Sequence, residues 1–181
     1  MASWPQFARR ARVPLGFVLA ALYLWLARPA WRSTLLGLLL IVPGLLIRTL
    51  ASGHVQKNEQ LAITGPYAYT RNPLYLGSLV LAAGFAVAAR SWWIAAAMAV
   101  IFLAVYVPVI RSEEAFLRSR FPEFDEYARQ VPQLLPRVTP FRHHSQSFSW
   151  QLYWKHREYN AALGALAMLA ALAAKLLWVS K

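Results

Sequence analysis

Five apolar runs separated by short polar segments set the pattern of this chain, and crossing a bilayer takes about 20 such residues. The first run extends from about Val13 to Ala27 and ends at an Arg28-Pro29 turn. The second covers Trp31 to Leu50, with Pro43-Gly44 inside it as an expected kink. A polar stretch over residues 51–72 leads to the third run, Pro73 to Ala89, closed by a tight Arg90-Ser91 turn. Trp92-Trp93 anchors the fourth at the interface, and it continues to about Ile110. Residues 111–142 are water-facing: they predict a helix leaving the membrane, a break at Phe121-Pro122, a second short helix, and an extended tail from Pro132 to Pro140. Aromatic and basic residues then mix over residues 143–160 (Phe148, Trp150, Tyr153, Trp154, Lys155, Arg157), as in an amphipathic helix lying among headgroups. An alanine-rich fifth run covers residues 161–179, with Lys175 near enough to its end to snorkel. The expected fold is all-α: one polytopic membrane domain over residues 1–181, with about five transmembrane helices and a short cytoplasmic helical segment.

Composition agrees with this class, being 59% hydrophobic and 14% charged. The net charge of +12 raises nucleic acid as a partner, but the basic residues lie beside apolar runs and form no continuous basic face, so membrane lipids are expected instead. Arg9, Arg10 and Arg12 stand before the first run as in a signal peptide; no small-residue cleavage site follows through Leu22-Tyr23-Leu24-Trp25-Leu26, so a retained first helix is expected. With the N-terminus inside, only Arg28, Arg32, Arg90, Lys175 and Lys181 of the 19 basic residues fall outside, and all 7 acidic residues fall inside. The positive-inside rule therefore puts the N-terminus and the chemistry in the cytosol. Without cysteine there is no disulfide or thiolate metal site, and His54, His143, His144 and His156 show no metal-ligand spacing, so no metal is expected.

Chemistry concentrates in Gly65-Pro66-Tyr67-Ala68-Tyr69-Thr70-Arg71-Asn72-Pro73-Leu74-Tyr75-Leu76-Gly77. Gly-Pro starts a turn, and Asn72 before Pro73 is biased away from helix, so a helix begins at Pro73. Tyr67, Tyr69, Arg71 and Asn72 are left on a loop at a helix N-terminus, which suits an anionic ligand with a flat ring. An aromatic belt with one interfacial arginine is the competing reading. Gly77 and Gly84, seven residues apart with small neighbours, permit close approach of a helix or of a ligand. Lys57 and Asn58 precede the motif, as solvated loop or within reach of a ligand.

Glu113 and Glu114 sit where the fourth run leaves the bilayer, and the hairpin of the third and fourth runs brings them beside the Tyr67–Tyr75 loop. Two carboxylates near Arg71 can bind hydroxyls and an ammonium, or set the arginine's geometry. A solvated charged helix face from Glu113 to Arg118 accounts for the same spacing.

The ordered combination Gly-Pro-Tyr-x-x-x-Arg-Asn-Pro-x-Tyr-x-Gly, a membrane hairpin, then Glu-Glu-x-x-Leu-x-x-x-Phe-x-x-x-x-x-Tyr, Val-Pro and a further Pro resembles the isoprenylcysteine carboxyl methyltransferase and phospholipid methyltransferase superfamily, over about residues 48–140. Isoprenylcysteine methyltransferases usually show Arg-His-Pro where this chain has Arg71-Asn72-Pro73, the form of bacterial relatives; the departure bears on a prenyl-cysteine acceptor more than on the cofactor. The resemblance implies a transferase of a bacterial inner membrane that binds S-adenosylmethionine at the cytoplasmic surface and methylates a lipophilic or prenylated small-molecule acceptor. It implies cofactor-binding roles for Tyr67, Tyr69, Asn72, Pro73, Tyr75, Gly77, Glu114 and Tyr127, the last as part of a lid. The catalytic residues it implies are Arg71 and Glu113. A carboxylate acceptor needs only orientation by Arg71, whereas an amine or hydroxyl needs a base, for which Glu113 is the candidate. No Gly-x-Gly loop follows a strand, which excludes a Rossmann methyltransferase. The rivals are a membrane reductase of the steroid-reductase type using a nicotinamide cofactor, and a non-catalytic lipid-binding membrane protein.

Overall fold

The computed structural model describes residues 18, 20–56, 59–141 and 147–179. These are helices and connecting turns without strands. Helix α1 covers residues 20–26 and α2 Trp31–Ser52; a 3₁₀ turn at Gly65–Ala68 precedes α3, Pro73–Ala89. Helix α4, Trp92–Ile101, passes through a π turn at Phe102–Tyr106 into α5, Val107–Arg120. Then follow α6, Phe124–Gln130, α7, Trp150–Lys155, and α8, Tyr159–Val179.

Among the described residues, three helical stretches are long and apolar enough to cross a membrane: Trp31–Ser52, Trp92–Arg120 and Tyr159–Trp178. Helix α3 is equally apolar and has 17 residues, a length of about 25 Å at 1.5 Å per residue. Of the first expected run, only residue 18 and residues 20–27 are described. The outward faces are apolar: Leu39 is 69% exposed and Leu103 65%, which suits lipid and not water.

Helices α2 and α3 run antiparallel in intimate contact because glycines meet glycines. Gly37 lies against Gly84, and Gly44 against Gly77, so closely that a Cβ on Gly37 would stand 2.6 Å from the Gly84 carbonyl. Gly77 and Gly84 thus serve helix packing. Tyr23 on α1 closes the far end by donating to the Phe85 carbonyl (2.9 Å), and its ring meets Phe85 edge-on. Ile41, Ala88, Ile94 and Leu172 complete the core there. The Lys175 ammonium donates to the Leu24 and Trp25 carbonyls at the end of α1.

Helix α3 begins at Pro73, with Asn72 outside it in a non-helical conformation, and ends at Arg90, whose backbone is left-handed (φ 51°). Helix α2 runs through Pro43 without interruption. The irregularity lies instead at Phe102–Tyr106, just before Pro108, which has no N–H to donate and crowds the preceding turn; the i→i+5 turn makes room. The stretch expected as an extended tail, Pro132 to Pro140, is irregular and anchored. It lies along the motif loop, with Arg71 N–H donating to Pro132 O (3.0 Å), Arg137 N–H to Tyr69 O (2.9 Å) and Phe141 N–H to Ala68 O (2.9 Å).

Of the expected headgroup helix over residues 143–160, α7 is the helical part; His143 and His144 fall outside the described residues, as do Lys57, Asn58 and Arg9 to Arg12. Trp150 and Trp154 point outward, but the segment also docks on the end of α2. Ser149 N–H donates to Gly53 O (3.0 Å), His156 Nδ1 lies 3.1 Å from Ser52 O, and Phe148 covers Gly53.

Candidate active site

The motif loop is shaped from below by α2. Gly65 has left-handed backbone (φ 57°) directly over the His54 ring, where a Cβ would come within 2.6 Å of ring atoms. His54 Nδ1, 2.7 Å from the Leu50 carbonyl, carries the proton of that bond. Tyr67 follows in the 3₁₀ turn and is buried; its carbonyl accepts from the Tyr127 hydroxyl at 2.7 Å. Burial raises the pKa of the Tyr67 phenol above its ordinary value, and Tyr127, Glu113, Glu158 and Tyr75 push the same way. Burial also raises that of Tyr127, with Arg71 opposing and Glu114 adding.

Beyond the turn, two residues of the motif close a clasp around Glu114. Arg71 donates from Nε to Oε1 (3.0 Å) and from Nη2 to Oε2 (3.3 Å), a two-pronged pair. Asn72 Nδ2 donates to Oε1 (2.8 Å) and Gln133 Nε2 to Oε2 (3.0 Å). Each carboxylate oxygen therefore accepts two hydrogen bonds, which fills its lone-pair positions. Further donors are engaged outside the carboxylate: Arg71 Nη1 bonds Ala128 O (2.6 Å) and Asn72 Nδ2 also reaches Gln133 O (3.0 Å). The clasp joins the motif loop, α5, α6 and the proline segment. Leu61, Phe124, Tyr127 and Val131 pack beside it.

A cavity of about 950 Å³ opens next to the clasp. Tyr67, Arg71, Asn72 and Tyr75 form one wall, and Ser112, Glu113, Phe116 and Leu117 of α5 a second. The connection after α2 supplies Gln56, Gln60, Leu61 and Ala62. The last wall comes from the C-terminal segment: His156, Arg157, Glu158, Asn160 and Ala161. Arg48 holds that segment in place, donating from Nε to Glu158 Oε1 and from Nη1 to Ser78 Oγ and the Leu74 carbonyl. A second, apolar groove of about 470 Å³ lies between α3 and α4, lined by Leu79, Ala82, Ala86, Met98 and Phe102 among others. Ser78 and Tyr106 line both spaces, so groove and cavity meet there. The π turn carries Tyr106 to that junction, where its ring stands edge-on to Tyr75 (centroids 5.7 Å apart).

Of the candidate residues read from the sequence, Tyr67, Arg71, Asn72, Tyr75 and Glu113 line the cavity together. The others do not. Tyr69 is turned to the surface, 38% exposed. Pro73 is buried at the start of α3, and Gly77 faces Gly44 and Arg48 on α2. Glu114 has every acceptor position filled from within the protein, so it shapes the wall. Tyr127 is a buried core residue, fixed by its bond to the Tyr67 carbonyl and by Phe124 and Phe141, and is not a mobile cover. Sequence reasoning did not single out Arg48, Gln133, Ser78, Tyr106 or Glu158. An arginine near the end of an apolar run and an acid in an otherwise basic stretch were the available signals for the Arg48–Glu158 pair.

The same residues that build the α2–α3 hairpin, the motif loop and α5 lie inside residues 32–123, over which the phospholipid methyltransferase family matches this sequence. That is slightly more than half of the chain. The chain belongs to the phospholipid methyltransferase family. It is also 36% identical, over 160 residues, to the cobalt-zinc-cadmium resistance protein CzcN of Cupriavidus metallidurans, covering 83% of this chain and 72% of the relative. The nickel-cobalt-cadmium resistance protein NccN of Alcaligenes xylosoxydans xylosoxydans is 36% identical over 143 residues, covering 74% of this chain and 66% of that protein. No solved structure matches the chain. The family match ends at residue 123, before Gln133 and the whole C-terminal wall of the cavity.

Proposed function

We propose that this family member is an S-adenosylmethionine-dependent methyltransferase that acts on a lipophilic acceptor at the cytoplasmic membrane face. The observation that carries the reading is the junction of two spaces of opposite character: a polar cavity bearing Glu113 and a phenol, and an apolar groove open to it at Ser78 and Tyr106. Such a pair suits a polar cofactor and a lipid chain whose head meets it. The cavity falls in the size range that holds molecules of cofactor size. Its residues fit that cofactor: Tyr67 and Tyr75 offer ring faces, Phe116 and Leu117 exclude water, and Glu113 has no hydrogen bond or ion pair within the described chain. When bound, the cofactor supplies a methyl group on a sulfonium, open to in-line displacement.

The protein's part in such a transfer is alignment and exclusion of water. Arg71, held rigid by Glu114 and Ala128 O, keeps the motif wall in place beside the junction. For an amine or hydroxyl acceptor, Glu113 is positioned in the cavity to receive the proton; a carboxylate acceptor loses none. The names of the two relatives tie those proteins to metal resistance. Among the described residues no three His, Asp or Glu side chains gather as metal ligands. Titration of the detergent-purified protein with S-adenosylmethionine and S-adenosylhomocysteine tests the proposal. Saturable binding, weakened by Glu113→Gln, is expected. A folded sample that binds neither, or binds NADPH in their place, overturns it.

A further inference from the structure

Charge bookkeeping around the cavity singles out one residue of the C-terminal wall. Of its described charged lining residues, Arg71 is paired with Glu114 and Arg48 with Glu158. That leaves Glu113 and Arg157, one carboxylate and one guanidinium, neither with a side-chain hydrogen bond or ion pair. They line the cavity from two chain segments. The field of Glu113 and that of Glu158, the neighbour of Arg157, both act on Tyr67. The Arg157 backbone is held in place, while its side chain is exposed to the cavity mouth and solvent. Arg157 ends α7 in the left-handed conformation (φ 53°), with its N–H on Trp154 O (3.0 Å) and the Glu158 N–H on Tyr153 O (3.3 Å). This two-bond helix stop is usually made by glycine. The Arg48–Glu158 pair then fixes the next residue to α2, and through Ser78 to the mouth of the apolar groove.

We propose that Arg157 binds an anionic group, a carboxylate or phosphate, of a ligand in this cavity, so that the C-terminal segment beyond the family match completes the site. The inference rests on the methyltransferase reading for the identity of the cavity. Two sources offer the anion: the amino-acid end of the cofactor, whose ammonium would face Glu113, or the acidic head of a lipid acceptor seated in the groove. A guanidinium serves either with a forked pair of charge-assisted hydrogen bonds.

The test uses Arg157→Gly and Arg157→Asn, since both residues accept left-handed backbone and should fold as well as the parent. Arg157→Lys restores the charge without the fork. Calorimetric titrations would measure S-adenosylhomocysteine, methylthioadenosine (which lacks the amino-acid end) and decyl phosphate as a single-chain anionic probe. The expected result is a loss of roughly tenfold or more in one anionic ligand, recovered in part by Arg157→Lys. Weakening of S-adenosylhomocysteine with methylthioadenosine unchanged assigns the anion to the cofactor. Weakening of decyl phosphate alone assigns it to the acceptor. Both affinities unchanged in a folded Arg157→Gly protein overturns the inference and leaves the methyltransferase reading standing. Decyl phosphate binding that depends on Arg157, without any binding of S-adenosylhomocysteine by the parent, does the reverse.

Discussion

Glu113 and Glu114 are adjacent, chemically identical and set in surroundings that predict opposite consequences for the same substitution. In Glu114→Gln the side chain keeps its shape, but one acceptor oxygen becomes a donor NH₂. Four donor hydrogens from Arg71, Asn72 and Gln133 point at that carboxylate, so at least one pair of donors is then forced together. The Arg71 guanidinium also loses its counter-charge at a site where the two side chains are 15% and 12% exposed. Removing one partner of a buried pair costs about 3–5 kcal/mol. The remaining oxygen and the slight exposure reduce this to about 2–4 kcal/mol for the glutamine variant. Among the described residues Glu113 has no hydrogen-bonding or ion-pair partner to lose, so Glu113→Gln should stay within about 0.5 kcal/mol of the parent. Unfolding in detergent, followed by tryptophan fluorescence against temperature, gives the first comparison. Titration with S-adenosylhomocysteine gives the second, where Glu113→Gln is expected to bind about tenfold more weakly for want of a charge-assisted hydrogen bond. An unchanged melting temperature for Glu114→Gln together with a lowered one for Glu113→Gln would refute the division of labour between clasp and cavity.

Two further outcomes follow from packing and burial. Gly44→Ala would place a Cβ 2.7 Å from the Leu81 nitrogen and 2.9 Å from the Gly77 carbonyl, so it should destabilise the α2–α3 pair by about 1–3 kcal/mol. Gly164→Ala meets nothing within 4 Å on α8 and should stabilise by about 0.5–1 kcal/mol; equal thermal shifts for the two variants would contradict the glycine contacts. The phenols of Tyr67 and Tyr127 are both held neutral by burial, their ionisation displaced upward from about 10. The stability they contribute is complete below about pH 10 and is lost as pH rises beyond it, because the unfolded chain gives up those protons first. Absorbance of phenolate with parallel circular dichroism should show these two titrating only as helix content falls, and free ionisation in an intact fold would count against it.

Local signals carried the boundaries of the motif region well. Pro73 suits the first turn of a helix and Asn72 before it cannot easily be helical, and α3 starts there. The Arg90-Ser91 turn and the Phe121-Pro122 break are likewise written in residues that stop helices, and α3 and α5 stop beside them. What escaped the sequence depends on partners distant along the chain. Nothing local separates Glu113 from Glu114; only the helical turn of α5 decides which faces Arg71. Periodicity gave Gly77 a choice between helix and ligand, and the matching glycines of α2 settle it. The proline segment read only as an extended tail, since prolines donate nothing and local sequence names no partner for it. Its carbonyls still accept, however, and the Arg71 N–H and the Thr70 hydroxyl use them.

The placement of Arg71 and Asn72 changes how the motif should be understood physically. A buried carboxylate ringed by donors is costly to assemble and leaves nothing over for a ligand, so its use must lie in rigidity. It fastens a short loop, a protruding helix and a proline segment to one another beside a membrane helix, where loops otherwise have few apolar contacts to hold them. Asn72 can do this because its amide has two hydrogens, one for Glu114 and one for Gln133 O; a histidine ring nitrogen has one. Among the described residues, the cavity-lining charges without a partner inside the protein are Glu113, inside the family match, and Arg157, outside it. On that division the shared part of the chain supplies the frame and one carboxylate. The C-terminal segment supplies the remaining wall, and Arg48 ties it back to the frame across α2.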